Sequence, residues 1–415
     1  MNIFEEIKKI PKRVMPNIIS NSLNDPIEIM SDGFTFQVNK EATAGVLDGT
    51  LRFEWFPSSR LEFEGIYNGE APDIGSDECT ILLPDSSQEA NVLLTNLTPA
   101  KNGWHISGII NDQIVISKGG AVEEIRFYLV NFPDFIGDGI RDEGEFGPGL
   151  FSGRLPLENE DWSAVLDKIP EVNHLKKASQ KKGGYYISHV GLIKPKRSIQ
   201  ITSNKIKEVI DLLHYFFGFC CGTWSGPLFI QGLNGSKIIW QSFASWKTGA
   251  PQRVQSWFPT HFPGKISELF KGFIQKYFEP DIQKTLINAI SWLIEANHPQ
   301  NIQESSIVIS QIALEALAWT HLVELKHHYT PKEFSKLPAH KRIRKLLSEL
   351  SIPTRAPTYL SELQTFVKNE LRTDGPGTLT KTRNALVHST KKNRKLMSKM
   401  NSTDLSTETT WFDIY

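Results

Sequence analysis

The hydrophobic period of this chain changes near residue 265, and that change limits the fold more than any single motif. From about 30 to 160, apolar and polar residues alternate in short runs: GTLRFEWFPSSRLEFEGIY (49–67), then TILLP, NVLLTNL, WHISGII, QIVIS and EIRFYLVNF. Each run is bounded by Gly, Asn, Asp or Pro. Alternation with period two is the mark of a strand with one buried face, and Pro57-Ser58-Ser59 reads as a hairpin-like connection. Many short strands at this spacing predict an antiparallel sandwich or open barrel. From about 266, Leu269, Phe270, Phe273, Ile274 and Phe278 recur at helical spacing. DIQKTLINAISWLIEAN, IQESSIVISQIALEALAWTHLVEL, KEFSKLPAHKRIRKLLSEL and APTYLSELQTFVKNELR continue it. GTLTKTRNALVHSTKKN then reads as a last helix, opened by the breaker Asp374-Gly375-Pro376-Gly377.

The expected fold is therefore α+β and multidomain. A β-rich N-terminal domain covers 1–165, a mixed α/β extension 166–268, and an all-α bundle 269–415. A chain of 415 residues is long enough for two or three cores. Its 40% hydrophobic and 22% charged residues describe a globular protein rather than a disordered one. Lys plus Arg equal Asp plus Glu at 46 each, so any attraction to nucleic acid must be local. Cys79, Cys220 and Cys221 form no metal-type pair and cannot all be bridged, which predicts a reduced, cytoplasmic protein. The stretch Leu212–Ser236 lacks any charged residue. Its glycines, Pro227 and Asn234 read as buried helix, turn and strand, with no membrane span.

One local concentration of charge stands out. Between Lys381 and Lys399 there are seven Lys or Arg and no acid, a field that attracts polyanions. Within it, KTRNALVHST (381–390) carries Arg383, Asn384 and His388. At 100° per residue Asn384 and His388 lie about 40° apart, while Arg383 is about 140° from His388 and reaches toward it through its long side chain. Leu379, Thr382 and Leu386 form the opposite, buried stripe. A guanidinium forks onto phosphate and stabilises growing charge, and an imidazole moves protons near neutral pH. Residue chemistry alone leaves two readings open, a phosphate site and a basic solvated face with one incidental histidine.

R-N-A-L-V-H at 383–388 resembles the R-N-x-x-x-H form of the Rx4–6H motif of the HEPN ribonuclease superfamily. Its place in the last helix of an all-α C-terminal region matches the family's. The helices SWLIEANHPQ and IQESSIVISQIALEAL resemble those of the ApeA-type antiphage branch, as do GTLRFEWFPSSRLEFEG and WSAVLDKIP…GGYYISHVGLI in the N-terminal half. The resemblance implies a metal-independent endoribonuclease with no cofactor, acting in abortive infection, whose helical domains pair as a homodimer or higher oligomer around one RNA cleft. Arg383 and His388 are then the catalytic pair, Asn384 the supporting residue, and Glu315 in QIALEALAW the candidate acid from an earlier helix. A salt bridge within the bundle is the equal alternative for Glu315. Lys381, Lys391, Lys392, Arg394 and Lys395 would contact RNA, with tRNA and rRNA as candidate targets and a phage-derived trigger as activator. The competing function is a non-catalytic RNA- or protein-binding scaffold.

Other features point to structure. His321, Glu324 and His328 share one helix and are read as helix-end residues rather than a metal site. DFIGDGIRDEGEFGPG (134–149) lacks the alternating ligands of a calcium loop and is read as a solvated turn-rich loop. HLKKASQKKGG (174–184) is read as a solvated lysine loop. Trp55 and Trp104 are expected in the β core; a sugar-binding sandwich would instead expose such tryptophans along a groove. GTWSG (222–226) is no serine-hydrolase elbow, and no phosphate-binding glycine loop is present.

Overall fold

The computed structural model describes residues 3–31, 33–37, 45–69, 79–86, 89–144, 147–197, 201–244, 248–249, 256–355, 364–365, 367–371 and 373–398. The chain divides into two compact units. The first is Met1–Phe217 with Trp224–Gln252 and Phe258–Lys271; the second is Gly218–Thr223 with Arg253–Trp257 and Gly272–Tyr415.

In the first unit a short helix α1 (Ile3–Lys9) precedes seven antiparallel strands. These are β1 (Ile27–Met30), β2 (Phe34–Gln37), β3 (Gly45–Glu54), β4 (Arg60–Tyr67), β5 (Cys79–Leu82), β6 (Ala90–Ala100) and β7 (Gly103–Ile110). Their order is β1-β3-β2-β5-β6-β7-β4, and β4 pairs back onto β3, closing a six-strand ring. Both β1 and β2 pair with β3 along one edge, at opposite ends of it. The expected alternation decides what fills the ring: Leu47, Leu51 and Phe53 of β3 and Leu61, Phe63 and Tyr67 of β4 are buried. Gly49 faces Gly65 across the β3–β4 ladder. A Cβ on either would meet the opposite backbone at 2.1 to 2.4 Å, so the close strand approach needs both glycines.

A second antiparallel sheet follows, with order β10-β11-β12-β13-β9-β14-β15-β8. It contains β8 (Ile114–Ser117), β9 (Glu124–Val130), β10 (Asp138–Gly144), β11 (Gly147–Glu158), β12 (Trp162–Lys168), β13 (Ile187–Pro195), β14 (Leu228–Asn234) and β15 (Lys237–Phe243). The expected boundary at 165/166 falls inside β12, and strands from both sides of it share this sheet. Ring and sheet also share one core, where Phe53 meets Phe229 edge-on at 5.0 Å and Trp55 stacks on Tyr185 at 5.4 Å. Trp55 is 1% exposed and Trp104 packs against the same core. Within 134–149 most described residues are strand rather than loop: Asp138–Gly144 of β10 pairs with the start of β11, and Asp134 ahead of it pairs with Lys168 and Lys176. The lysine segment is likewise helix α2 (Asn173–Lys182), anchored by buried Leu175. At the free edge of β10, Arg13 donates its N–H to the Arg141 carbonyl and Arg141 donates to that of Pro11, each at 3.0 Å. Beside this edge the Arg154 guanidinium forks onto Asp167 at 2.7 and 2.6 Å and also holds the Lys12 carbonyl.

His189 is a buried base of this unit. It stacks on Phe135 at 5.2 Å, and its Nδ1 lies 3.0 Å from Ser188 Oγ. Burial lowers its pKa to about 3, with Asp134 opposing and Lys168 and Lys176 assisting. Its folded pKa is below that of an unfolded histidine, near 6.5, so acid protonates the unfolded chain first. This residue is therefore expected to remove up to about 1.4 kcal/mol of stability per pH unit as pH falls from about 6.5 toward 3. Urea unfolding followed across that range in wild type and His189→Gln checks this. Equal pH slopes would contradict it.

After α3 (Ser203–Cys221), a turn leads into β14, as read for the uncharged stretch. Then α4 (Gly264–Tyr277) opens the helical region. The second unit contains α5 (Pro280–Ala296), α6 (Gln303–Trp319), α7 (Pro331–Lys336), α8 (Ala339–Glu349), α9 (Gly375–Val387) and α10 (Lys391–Met397). A π-helical turn, Thr320–Leu325, extends α6. Gln303–Leu325 is long and apolar enough to cross a membrane by composition, and half of it is buried inside the protein. Ile307, Leu314, Ile343, Leu347, Val367, Leu371 and Leu379 form the core that seats α9. The single segment KEFSKLPAHKRIRKLLSEL is two helices, because Pro338 starts a second one. The expected helix at APTYLSELQTFVKNELR lies largely outside the described residues; Val367–Leu371 within it is a π-turn.

Candidate functional site

Asp374 sets the start of α9. Its carboxylate accepts the Gly377 N–H at 3.1 Å and takes a fork from Arg344 of α8 at 2.5 and 2.7 Å. Burial alone would raise this carboxyl; the bonds from Arg344 and Gly377 hold it below its usual range. Gly377 fits because a Cβ there would lie 2.0 Å from Thr373 Oγ1. Thr378 and Thr380 donate their hydroxyls back to the carbonyls of Asp374 and Pro376, both at 2.9 Å. Thr378, Leu379 and Thr382 are fully buried, so the first two turns of α9 are enclosed on most sides. Only the last turn reaches solvent broadly, and it carries the motif.

The motif does not lie on one continuous helix. Val387 is the last residue of α9, and His388 is its extended C-cap (φ −110°, ψ 97°). Thr390 then caps α10, accepting the Asn393 N–H at 3.2 Å. Asn393 Nδ2 donates to the carbonyls of His388 at 2.6 Å and Asn384 at 3.2 Å, and Arg394 donates to the Ser389 carbonyl at 2.6 Å. These bonds fix the turn on which His388 sits. Asn384 and His388 are both exposed. Arg383 donates from Nη1 to Asn384 Oδ1 at 3.2 Å, while its Nε is buried without a partner. Among the described residues the His388 ring makes no hydrogen bond, and Arg383 and His388 do not touch through one.

The other sequence candidates divide. Lys391, Lys392 and Lys395 are exposed with no side-chain partner among the described residues. Lys381 instead donates to the Leu371 carbonyl at 2.7 Å, and Arg394 is held by Ser389. Glu315 takes the structural option: Gln311 donates to it at 2.7 Å and Arg342 of α8 pairs with it at 3.1 Å. Arg342 also lies 5.0 Å above the Phe334 ring. Glu315 shares no hydrogen bond or ion pair with Arg383, Asn384 or His388 among the described residues. His321 and His328 both face Glu349, at 3.4 and 2.6 Å, and Glu324 accepts from the Trp319 indole at 2.7 Å. Among the described residues no group of three or more His, Cys, Asp or Glu is placed to hold a metal. A polar groove of about 250 Å³ on the ring of strands is lined by Arg52, Glu54, Glu62, Glu64 and His105; its acidic lining is unsuited to a polyanion.

Sequence reading missed the Arg344–Asp374 pair and the Asn393 clamp. Asp374 before Gly-Pro-Gly was a cap signal as well as a breaker. The partner of a cap on another helix leaves no local sequence trace.

The architecture is thus an antiparallel β unit and a helical bundle whose basic helix ends in Arg-Asn-x3-His. Family models match two stretches, the YopA central domain over residues 117–254 and the YopA C-terminal domain over residues 279–410. The chain is also similar to the SPbeta prophage-derived uncharacterized protein YopA of Bacillus subtilis (strain 168). That relative is 28% identical over 385 residues, which are 90% of this chain and 85% of the relative. No solved structure matches.

Proposed function

We propose that this chain is a metal-independent endoribonuclease of the HEPN type, a cytoplasmic antiphage effector whose β-rich region senses a phage-derived trigger. The observation that carries the reading is the grouping of Arg383, Asn384 and His388 at the exposed end of an otherwise enclosed helix, beside the exposed Lys391, Lys392 and Lys395. The matched models carry YopA names, so the ribonuclease reading rests on this motif and its chemistry. The prophage origin of the similar Bacillus protein suits a part in phage conflict.

In this reading His388 takes the proton from a ribose 2′-hydroxyl, the 2′-oxygen attacks phosphorus, and the 5′-oxygen leaves and is protonated. The products are a 2′,3′-cyclic phosphate and a 5′-hydroxyl. Arg383 forks onto the non-bridging oxygens, and Asn384 steadies its guanidinium. Arg383 and His388 diverge on one chain, so two copies about a two-fold complete the cleft. Glu315 ties α6 to α8 through Arg342.

The test is RNA cleavage by trigger-activated protein, in chelator, with products assayed for cyclic phosphate. Cleavage lost in His388→Ala supports the reading. No cleavage, with cellular toxicity unchanged in His388→Ala, would leave the non-catalytic scaffold in its place.

A further inference from the structure

A second basic cluster lies on the same side of α9 as His388. Lys381, Asn384 and His388 fall within about 60° of one another on the helix, Asp374 continues the stripe to its start, and Arg383 points about 160° away from Lys381. Lys381, Asn384 and His388 are all exposed. From α8, Arg344 reaches this stripe through its fork onto Asp374. His340, one turn before Arg344, sits in the field of Arg344, Lys341, Asp374 and Lys381, and burial together with those cations holds its imidazole below its usual range.

The donors there are not exhausted. Lys381 gives one of its three protons to Leu371, and Arg344 uses Nε and Nη2 on Asp374, leaving Nη1. Lys341 is exposed and has no side-chain partner among the described residues. Asp374 is engaged on both oxygens. Three cations, Arg344, Lys341 and Lys381, thus surround His340, and the one carboxylate beside it is already occupied by Arg344 and Gly377. At 1.5 Å per residue Lys381 lies about 10 Å before His388 along the axis, a distance that an extended strand covers in a couple of nucleotides.

We propose that His340, Lys341, Arg344 and Lys381 form a phosphate subsite for the strand flanking the bond presented to His388. The proposal rests on the ribonuclease reading and adds a direction to it: RNA runs along α9 toward the α8 face. A phosphate here would offset the crowding of cations around His340, so binding should draw a proton onto that ring.

The experiment uses the full chain carrying His388→Ala, which slows cleavage, and a 2′-O-methyl RNA oligonucleotide, which lacks the attacking hydroxyl. Affinity is measured against salt and pH. Lys341→Ala and Lys381→Gln (which keeps a donor for the Leu371 carbonyl) are each expected to lower the slope of log K against log salt by about one. Lys332→Ala on α7 should leave it unchanged. Affinity should rise as pH falls from about 7.5 to 5.5, and His340→Gln should flatten that rise. Unchanged slopes in both lysine variants, or a pH profile indifferent to His340→Gln, overturn the subsite while active wild type keeps the ribonuclease reading. If wild type cleaves no RNA and the His388→Ala chain binds none, both fall.

Discussion

His388→Ala is expected to slow RNA cleavage by about 10²–10⁴-fold, the usual worth of a positioned acid–base group, with little change in thermal unfolding. Its ring is exposed and makes no hydrogen bond among the described residues, so deleting it breaks no hydrogen bond among them. The turn around it is held through backbone, by the His388 N–H to Asn384 and by Asn393 to the His388 carbonyl. Alanine keeps both. Arg383→Lys is the companion change. It preserves charge and removes the fork, so a catalytic site should lose about 10²–10³-fold, while a site that only attracts RNA should scarcely notice. Rates for the two variants, measured on one labelled RNA, separate the readings: a harmless Arg383→Lys together with an active His388→Ala would end the catalytic one.

Asp167→Asn is expected to destabilise the β unit by about 3–5 kcal/mol, because it strands a buried guanidinium. Asp167 is 0% exposed and receives Arg154 at both oxygens as well as the Val14 N–H at 2.8 Å. Arg154 in turn holds the Lys12 carbonyl at 2.8 Å. One charge therefore organises both a sheet and the segment lying across its edge. The double change Arg154→Met with Asp167→Leu removes both charges and should recover much of the loss, since an apolar pair has no desolvation cost to offset. Urea midpoints for the single and double variants check this. A single-variant cost no larger than that of a surface pair, about 0–1 kcal/mol, would refute it.

What the sequence disclosed follows physical locality. Alternation placed Leu51, Phe53, Leu61 and Phe63 inside the β region, and helical spacing placed Phe270 and Phe273 on a buried stripe. Ring closure was out of reach, because β3 meets β1, β2 and β4 through pairings that no window of residues displays. Gly and acid signals at 134–149 read as a loop, yet cross-strand partners on β11 and β12 stabilise extended chain there. At the site, side-chain chemistry named Arg383, Asn384 and His388. The break at His388 depended on Thr390 acting as a cap, a signal present in the sequence but masked by the helix-favouring lysines after it. Glu315 looked in need of a partner and has one, Arg342, twenty-seven residues away on a different helix.

The backbone bonds of Pro11, Arg13 and Arg141 have a consequence for solubility. A sheet that ends in a bare strand offers a row of unused amides on which another chain can polymerise. Among the described residues the closed ring has no such row, and β1, paired on one side outside it, is only four residues long. The eight-stranded sheet has two margins, and one is the four-residue β8, too short to template much. The other, β10, is occupied by residues 11–13 of the same chain. That stretch acts as a guard rail, and the buried Arg154–Asp167 pair is what bolts it down.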